Sequence, residues 1–377
     1  MLQTFKNSIV RNAKNIPGWR TRRKILVFEC DDWGGIRMPS REVYEKLSAG
    51  GLNVGTSRFN MFDTLETSQD LLKLFETLDS VKDINNRPAV MTSMTIVANP
   101  DFEKIRARGF SEYIFEPFTD TLNRYYPGMD VFKIWQEGIA AGIFVPELHG
   151  RDHITVQLWM NKLREGDNEL LSAFDNGFVS LDIKGVPGPA SEFRAEFYFS
   201  SEDQKPYLIN SINESVTLFQ GLFNRMPMVF VPGNGIFHPL FDEAVAAAGI
   251  KYLNVSHSMP YPADNGHLKY RHFITGSKGP GGITYYTRNC AFEPDDPKYK
   301  GTGPTLSQVD AAFRWGKPAT ISTHRVNFSG GISENNREKG LKELKKLLLE
   351  IVRKWPDVEF MSSAESLAHM SRETEKN

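Results

Sequence analysis

A short apolar run, Ile25-Leu26-Val27-Phe28, is followed by the acidic pair Asp31-Asp32 and then broken at Gly34-Gly35. A run of this kind, rich in β-branched and aromatic residues and closed by a glycine turn, reads as a strand of a parallel sheet buried on both faces. Side chains at the C-terminal end of such a strand open onto the face where α/β folds place their ligands. Two adjacent carboxylates there repel each other and lose solvation, which raises their pKa values unless something compensates. A bound cation or a proton-transfer task accounts for both. The plainer alternative is a strand end whose Asp32 caps the following helix.

Similar apolar runs recur along the 377 residues and alternate with stretches of helical period. Strands are expected at 88–97, 143–145, 228–231, 252–255, 283–287, 319–323 and 358–361. Helices are expected from residue 39, at 71–81, at 131–141, through 163, and at 211–223, 241–248, 336–354 and 364–370. This βαβ rhythm predicts an α/β fold, a single distorted or incomplete (β/α) barrel of eight or so strands over residues 24–370. Residues 166–205 break the rhythm with Gly177, Gly185, Pro187, Gly188 and Pro189. They read as a loop-rich insertion that flanks the site and tunes substrate choice. Residues 1–23 form a basic N-terminal arm, with Lys6, Arg11, Lys14, Arg20, Arg22 and Arg23 and no Asp or Glu. A solvated arm is expected, with weak contact to an anionic surface as the alternative.

Formal net charge is -1 and charged residues make up 24% of the chain, so the basic field that nucleic-acid binding favours is missing. Two cysteines, Cys30 and Cys290, provide no disulfide framework and permit a reducing compartment. Residues 1–18 lack the apolar core of a signal peptide, and no run approaches the ~18 apolar residues of a membrane span. The expectation is a soluble cytoplasmic protein with no transmembrane segment.

His149 and His153 lie four apart in LHGRDH. A helix starting at Gly150 would put both imidazoles on one face. Two histidines and a carboxylate form a three-ligand zinc set with a position open to water. His324 closes a strand in ISTHRVNFSG, where its ordinary pKa suits a general acid or base; a structural histidine is the alternative.

These segments resemble the motifs of the polysaccharide deacetylase (NodB-homology, carbohydrate esterase) family. FECDDWG at 28–34 is similar to its TFDDG-like first motif, HGRDH at 149–153 to H-S/T-x-x-H, and STH at 322–324 to the late L-x-H. Order and wide spacing agree, and the resemblance spans roughly residues 24–370. It implies Asp31 as catalytic base, Asp32, His149 and His153 as ligands of a divalent metal with Zn2+ foremost, His324 as catalytic acid, and the family's distorted (β/α) barrel. The implied reaction removes an N-acetyl or similar acyl group from an acetylated amino sugar or polysaccharide precursor. The chain departs from the family in three places. The R-x-P-Y motif is FVPGNG at 230–235, without arginine; Gly150 stands where Ser or Thr is usual; and no Asp-Trp motif is found near 252–258.

Arg288 and Glu293, in RNCAFEP, would replace the missing arginine and its carboxylate partner, or else form a surface ion pair. A backbone N–H at 232–235 would serve the oxyanion. Trp33 and Phe328 would stack on a sugar ring or belong to the core. Two rival readings stay open. One is another metal hydrolase on the same barrel, cleaving a cyclic imide, a non-sugar amide or a glycosidic bond. The other is a non-catalytic carbohydrate-binding protein that keeps the metal.

Overall fold

In the computed structural model, which describes residues 9–182, 191–263 and 267–374, the apolar run becomes the first half of β1, Lys24–Trp33. Its residues Ile25 to Asp31 are all buried. The other sheet strands are β2 (Met91–Thr95), β3 (Phe144–Leu148), β4 (Val229–Phe230), β5 (Tyr252–Asn254), β6 (Thr284–Tyr286), β7 (Cys290–Ala291), β8 (Ala319–His324) and β9 (Val358–Phe360). Every ladder is parallel, and the order is β6-β5-β4-β3-β2-β1-β8-β7. The strand β9 pairs with Lys24–Leu26 at the start of β1. Strand order follows chain order around the curl, with the ends meeting where β6 leads into β7. No ladder forms between those two among the described residues. The fold is thus a distorted, incomplete (β/α) barrel of eight strands plus β9.

The outer helices close on the sheet as their apolar spacing requires. Leu71, Leu74 and Leu78 of helix Ser68–Asp79, Trp135 of Val131–Ala140, and Leu344, Leu347, Leu348 and Ile351 of Glu334–Lys354 share one cluster with Leu26, Phe28, Met91, Phe144 and Ile321. Helix Ser68–Asp79 starts three residues before its expected position because Thr67 and Asp70 form a reciprocal capping box. Two antiparallel hairpins escape the sequence reading, Ala98–Pro100 with Phe115–Pro117 and Ser258–Pro262 with Leu268–His272.

Two expectations are corrected. Within 166–205, helix Asn168–Asp175 buries Leu170, Ala173 and Phe174 with Phe178, Val179, Leu181 and Phe193, while Phe197 and Phe199 enter a second cluster with Phe219 and Phe230. The aromatic residues of this segment thus pack into the core, so it is more than a loop-rich insertion, while its Ser191 and Glu192 line the cleft described below. Gly185, Pro187, Gly188 and Pro189 lie outside the described residues. Residues 9–23 are not a free arm either. Asn15 is buried and accepts from Asn289 at 3.0 Å, Lys317 donates to the Gly18 carbonyl at 2.6 Å, and Arg23 pairs with Glu359. Lys6 lies outside the described residues. Among the described residues, no helix is long and apolar enough to cross a membrane.

Candidate metal centre

Adjacent residues of a regular strand point to opposite faces. Asp31 and Asp32 escape this rule because β1 is irregular there. Its ladder to β2 runs from Phe28↔Met91 to Cys30↔Ser93 and resumes, shifted, at Trp33↔Thr95. Asp32 takes φ +78°, a left-handed conformation. A bulge re-aims side chains, and both carboxylates line one cleft of about 800 Å³. Gly34 follows, also at φ +78°, where a Cβ would lie 2.5 Å from the Ile96 carbonyl oxygen. A side chain has no room there.

His149 follows the end of β3. Its Nδ1 faces the Val231 carbonyl at 2.7 Å, a bond only an Nδ1–H can make, which turns Nε2 toward Asp32 as the nitrogen free to bind a metal once deprotonated. That Nε2 lies 3.7 Å from Asp32 Oδ1, and His153 Nε2 lies 3.8 Å from the same oxygen. The expected helix is corrected. Residues 149–154 form a loop, with Gly150 at φ +94° and His153 at φ +53°, and helix Val156–Arg164 begins only after both histidines. The loop is held from outside, its His149 amide by the Thr95 carbonyl and its Arg151 and His153 amides by the Glu196 carboxylate. Gly233 closes the other side, where a Cβ would lie 2.9 Å from the His153 ring.

One donor atom from each of Asp32, His149 and His153 lies within 4.8 Å of the others. Burial and then His149 hold His153 down at about 3, so its imidazole is neutral. Burial alone would raise Asp32, yet the bond to His149 and the charge of the neighbouring histidines hold it well below the usual carboxylate range. An ionised carboxylate and two imidazole nitrogens in this compass fit a divalent ion, and the His149–Val231 bond is the kind of outer support such ligands have.

Asp31 answers to different partners. Arg288 grips it bidentately, at 2.6 Å to each oxygen, and reaches Glu29 at 2.5 Å and Ser322 at 3.1 Å. Burial would raise Asp31, but Arg288 holds it below its ordinary value. The β1–β8 ladder pairs Asp31 with His324 directly, and His324 Nε2 lies 3.9 Å from Asp31 Oδ2. The other ring nitrogen, Nδ1, meets Glu293 at 2.7 Å. Burial pulls His324 down, but Glu293 and then Asp31 and Asp32 override it and raise it to about 9. Glu293 also accepts from Asn327 at 2.8 Å and Arg58 at 2.9 Å.

All six candidates, Asp31, Asp32, His149, His153, Arg288 and His324, line the one cleft. The expected Arg288–Glu293 pair does not form. Each is bound to a catalytic candidate instead, Arg288 to Asp31 and Glu293 to His324, and Arg288 is mostly buried rather than part of a surface ion pair. Trp33 and Phe328 are fully buried in the core and are not among the residues that line the cleft. Phe59 and Phe62 are the aromatic residues lining the cleft, and Phe59 lies edge-on to His324 at 5.2 Å with the Arg37 and Arg58 guanidiniums 5.1 and 4.5 Å from its centre. Glu29 was missed although the signal was present. It is a lone acid inside an apolar strand, two residues before Asp31 and therefore on the same face. Phe59, Arg58 and Glu196 gave no comparable signal, because they come from helix and loop far away in sequence.

No family model matches the chain, and no curated protein matches it. Among solved structures it is similar to the 4-alpha-glucanotransferase of Thermococcus litoralis, at 12% identity and a TM-score of 0.46, covering 92% of this chain and 40% of that one. The chain thus spans well under half the length of that protein. It is similar also to a probable polysaccharide deacetylase from Pseudomonas aeruginosa PAO1, at 12% identity and a TM-score of 0.45, over 93% of this chain and 92% of that one. A peptidoglycan deacetylase from Bacillus subtilis aligns at 9% identity and a TM-score of 0.37, over 94% of both chains. Polysaccharide and peptidoglycan deacetylases thus recur among the structures this divergent chain resembles.

Proposed function

We propose that the protein is a metal-dependent hydrolase that removes an acetyl or similar acyl group from the nitrogen of an amino sugar. One observation carries the reading. A donor triad of Asp32, His149 and His153 shares a cleft with an ionised carboxylate, Asp31, and with a histidine, His324, poised to be protonated. Asp32, His149 and His153 would hold the divalent ion, Zn2+ foremost, which supplies Lewis acidity at the acyl carbonyl and its attacking water.

The chain's own residues do the rest. Asp31, kept ionised by Arg288, accepts a proton as water adds to the carbonyl carbon. Arg288 is tied to Glu29 and Ser322 and fixes the carboxylate's orientation. His324, charged through its bond to Glu293, gives its proton to the departing nitrogen as the C–N bond breaks, and acetate and a free amine result. Asp31 and Asp32 are both held below their ordinary values. Both are therefore ionised, as a proton acceptor and a metal ligand must be, and this argues against either serving as the protonated acid of glycosidic cleavage. The amino sugar is inferred from the motif resemblance.

The test is turnover together with metal content. Purified protein loaded with Zn2+ should release acetate from N-acetylglucosamine oligomers, lose the activity with a chelator and regain it on adding Zn2+. Stoichiometric metal without release of acetate from any acylated amine would favour a binding protein instead.

A further inference from the structure

The two histidines of the triad sit in a loop with no helix of its own; the His149 N–H to the Thr95 carbonyl at 2.8 Å and the Ala98 N–H to the Arg151 carbonyl at 2.7 Å fasten it on one side, and its other side needs a support of its own. The run Glu192–Glu196 provides it. Its backbone accepts from Thr155, whose N–H reaches the Phe193 carbonyl and whose hydroxyl reaches the Ala195 carbonyl, both at 2.8 Å. Phe193 holds φ +55°, unusual for a bulky residue and a sign that its surroundings dictate the turn. Alternate side chains then reach both ligand-bearing segments. Glu192 pairs with Arg37 at 2.9 Å, and Arg194 donates to the Ile36 carbonyl at 2.6 Å, both just beyond Asp32. Glu196, 2% exposed, accepts from the Arg151 amide at 3.2 Å and the His153 amide at 3.3 Å, and Ser211 donates to it at 2.8 Å. It lies so close beneath the loop that a Cβ on Gly150 would stand 2.1 Å from its Oε2.

On the reading that Asp32, His149 and His153 hold a divalent ion, we infer that Glu196 is the positioning residue of that centre: its carboxylate sets the course of the chain between the two histidine ligands. This gives Gly150 a reason. The acceptor for the loop amides comes from beneath, and a side chain at 150 would displace it. It also assigns part of the 166–205 segment to the metal centre. Outer supports of this kind typically change metal affinity by about 10–100-fold when removed.

Zn2+ affinity by competition with a chelating dye, and the melting temperature of the metal-free protein, should be measured for wild type and Glu196→Gln. Glutamine keeps the size of the side chain but turns one acceptor into a donor. The expected result is Zn2+ affinity lowered by about 10–100-fold with a nearly unchanged metal-free melting temperature. Wild-type affinity in Glu196→Gln would overturn the inference, and so would a fall in affinity matched by a fall in metal-free stability, which marks a merely structural role. Wild type that binds no Zn2+ would overturn the underlying reading, a failure visible before any variant is made. A double-mutant cycle gives a second measure. Gly150→Ala should weaken Zn2+ binding much more in the wild-type background than in Glu196→Ala, since backbone strain at 150 is common to both and cancels. Equal losses in the two backgrounds would again overturn it.

Discussion

Asp31 and Asp32 are neighbours in sequence with opposite environments, one gripped by a guanidinium and the other facing two imidazoles. They should therefore fail differently. Asp32→Asn should lose metal and activity together, because an amide is a poor ligand for a divalent cation. Asp31→Asn should keep its metal and lose about 10²–10⁴-fold in rate, the usual contribution of a general base. Metal content and rate measured side by side decide it, and equal metal loss in both variants would make both residues ligands. His324 sets the pH dependence. Its folded pKa of about 9 lies above the ordinary 6.5, and in the proposed mechanism its protonated form is the acid. The kcat/KM profile should therefore fall as pH rises through about 9. The same raised value contributes folding stability that is complete below 6.5 and lost as pH climbs through about 9. Glu293→Gln removes the largest raising influence, so both transitions should move to lower pH. A basic limb that stays in place in Glu293→Gln would assign it to another group.

At the scale of elements, legibility followed periodicity. The strand of Ile25–Phe28 and the helices around Leu71 and Leu344 were readable because apolar spacing alone decides their burial. The candidate residues Asp31, Asp32 and His324 were readable because each stands at a strand end, and His149 and His153 because they lie four apart just after one. The means of convergence were not. The bulge at Asp32 and the left-handed turn at Gly150 depend on partners supplied by Thr95 and Glu196, which no local window contains. The 166–205 segment misled because glycines and prolines dominate a local reading, while Phe178, Phe193, Phe197 and Phe199 decide the packing. Truncating one of these tests the correction. Phe197→Ala should cost about 3–5 kcal/mol, as for other buried phenylalanines, and should lower the urea midpoint. A change in substrate preference at constant stability would instead restore the picture of a rim decoration.

The whole molecule is knit between its ends. Lys317 is buried against the carbonyls of Gly18 and Trp19, and Asn15 against Asn289. A chain beginning at residue 24 would leave the Lys317 ammonium with neither acceptor, and losing hydrogen bonds to a charged group costs about 1.5–3 kcal/mol each. Such a chain should unfold at clearly lower denaturant than the full-length protein. Equal midpoints would mean that the segment behaves as the solvated arm its composition suggested.

The placement of β1 bears on how the protein is made. Of the sheet strands this one is synthesised first, yet its ladder partners Ala319–His324 and Val358–Phe360 are the last two of them to be made. Until then a strongly apolar strand has an open edge, the kind of surface on which chains aggregate. Asp31 on β1 and His324 on β8 meet only across that final ladder, so on the proposed mechanism a nascent chain halted before Ala319 has the metal ligands but no acid. Catalytic competence and protection from aggregation thus arrive in the same closing event. In the cell, the interval before it is when the nascent chain has most need of a chaperone.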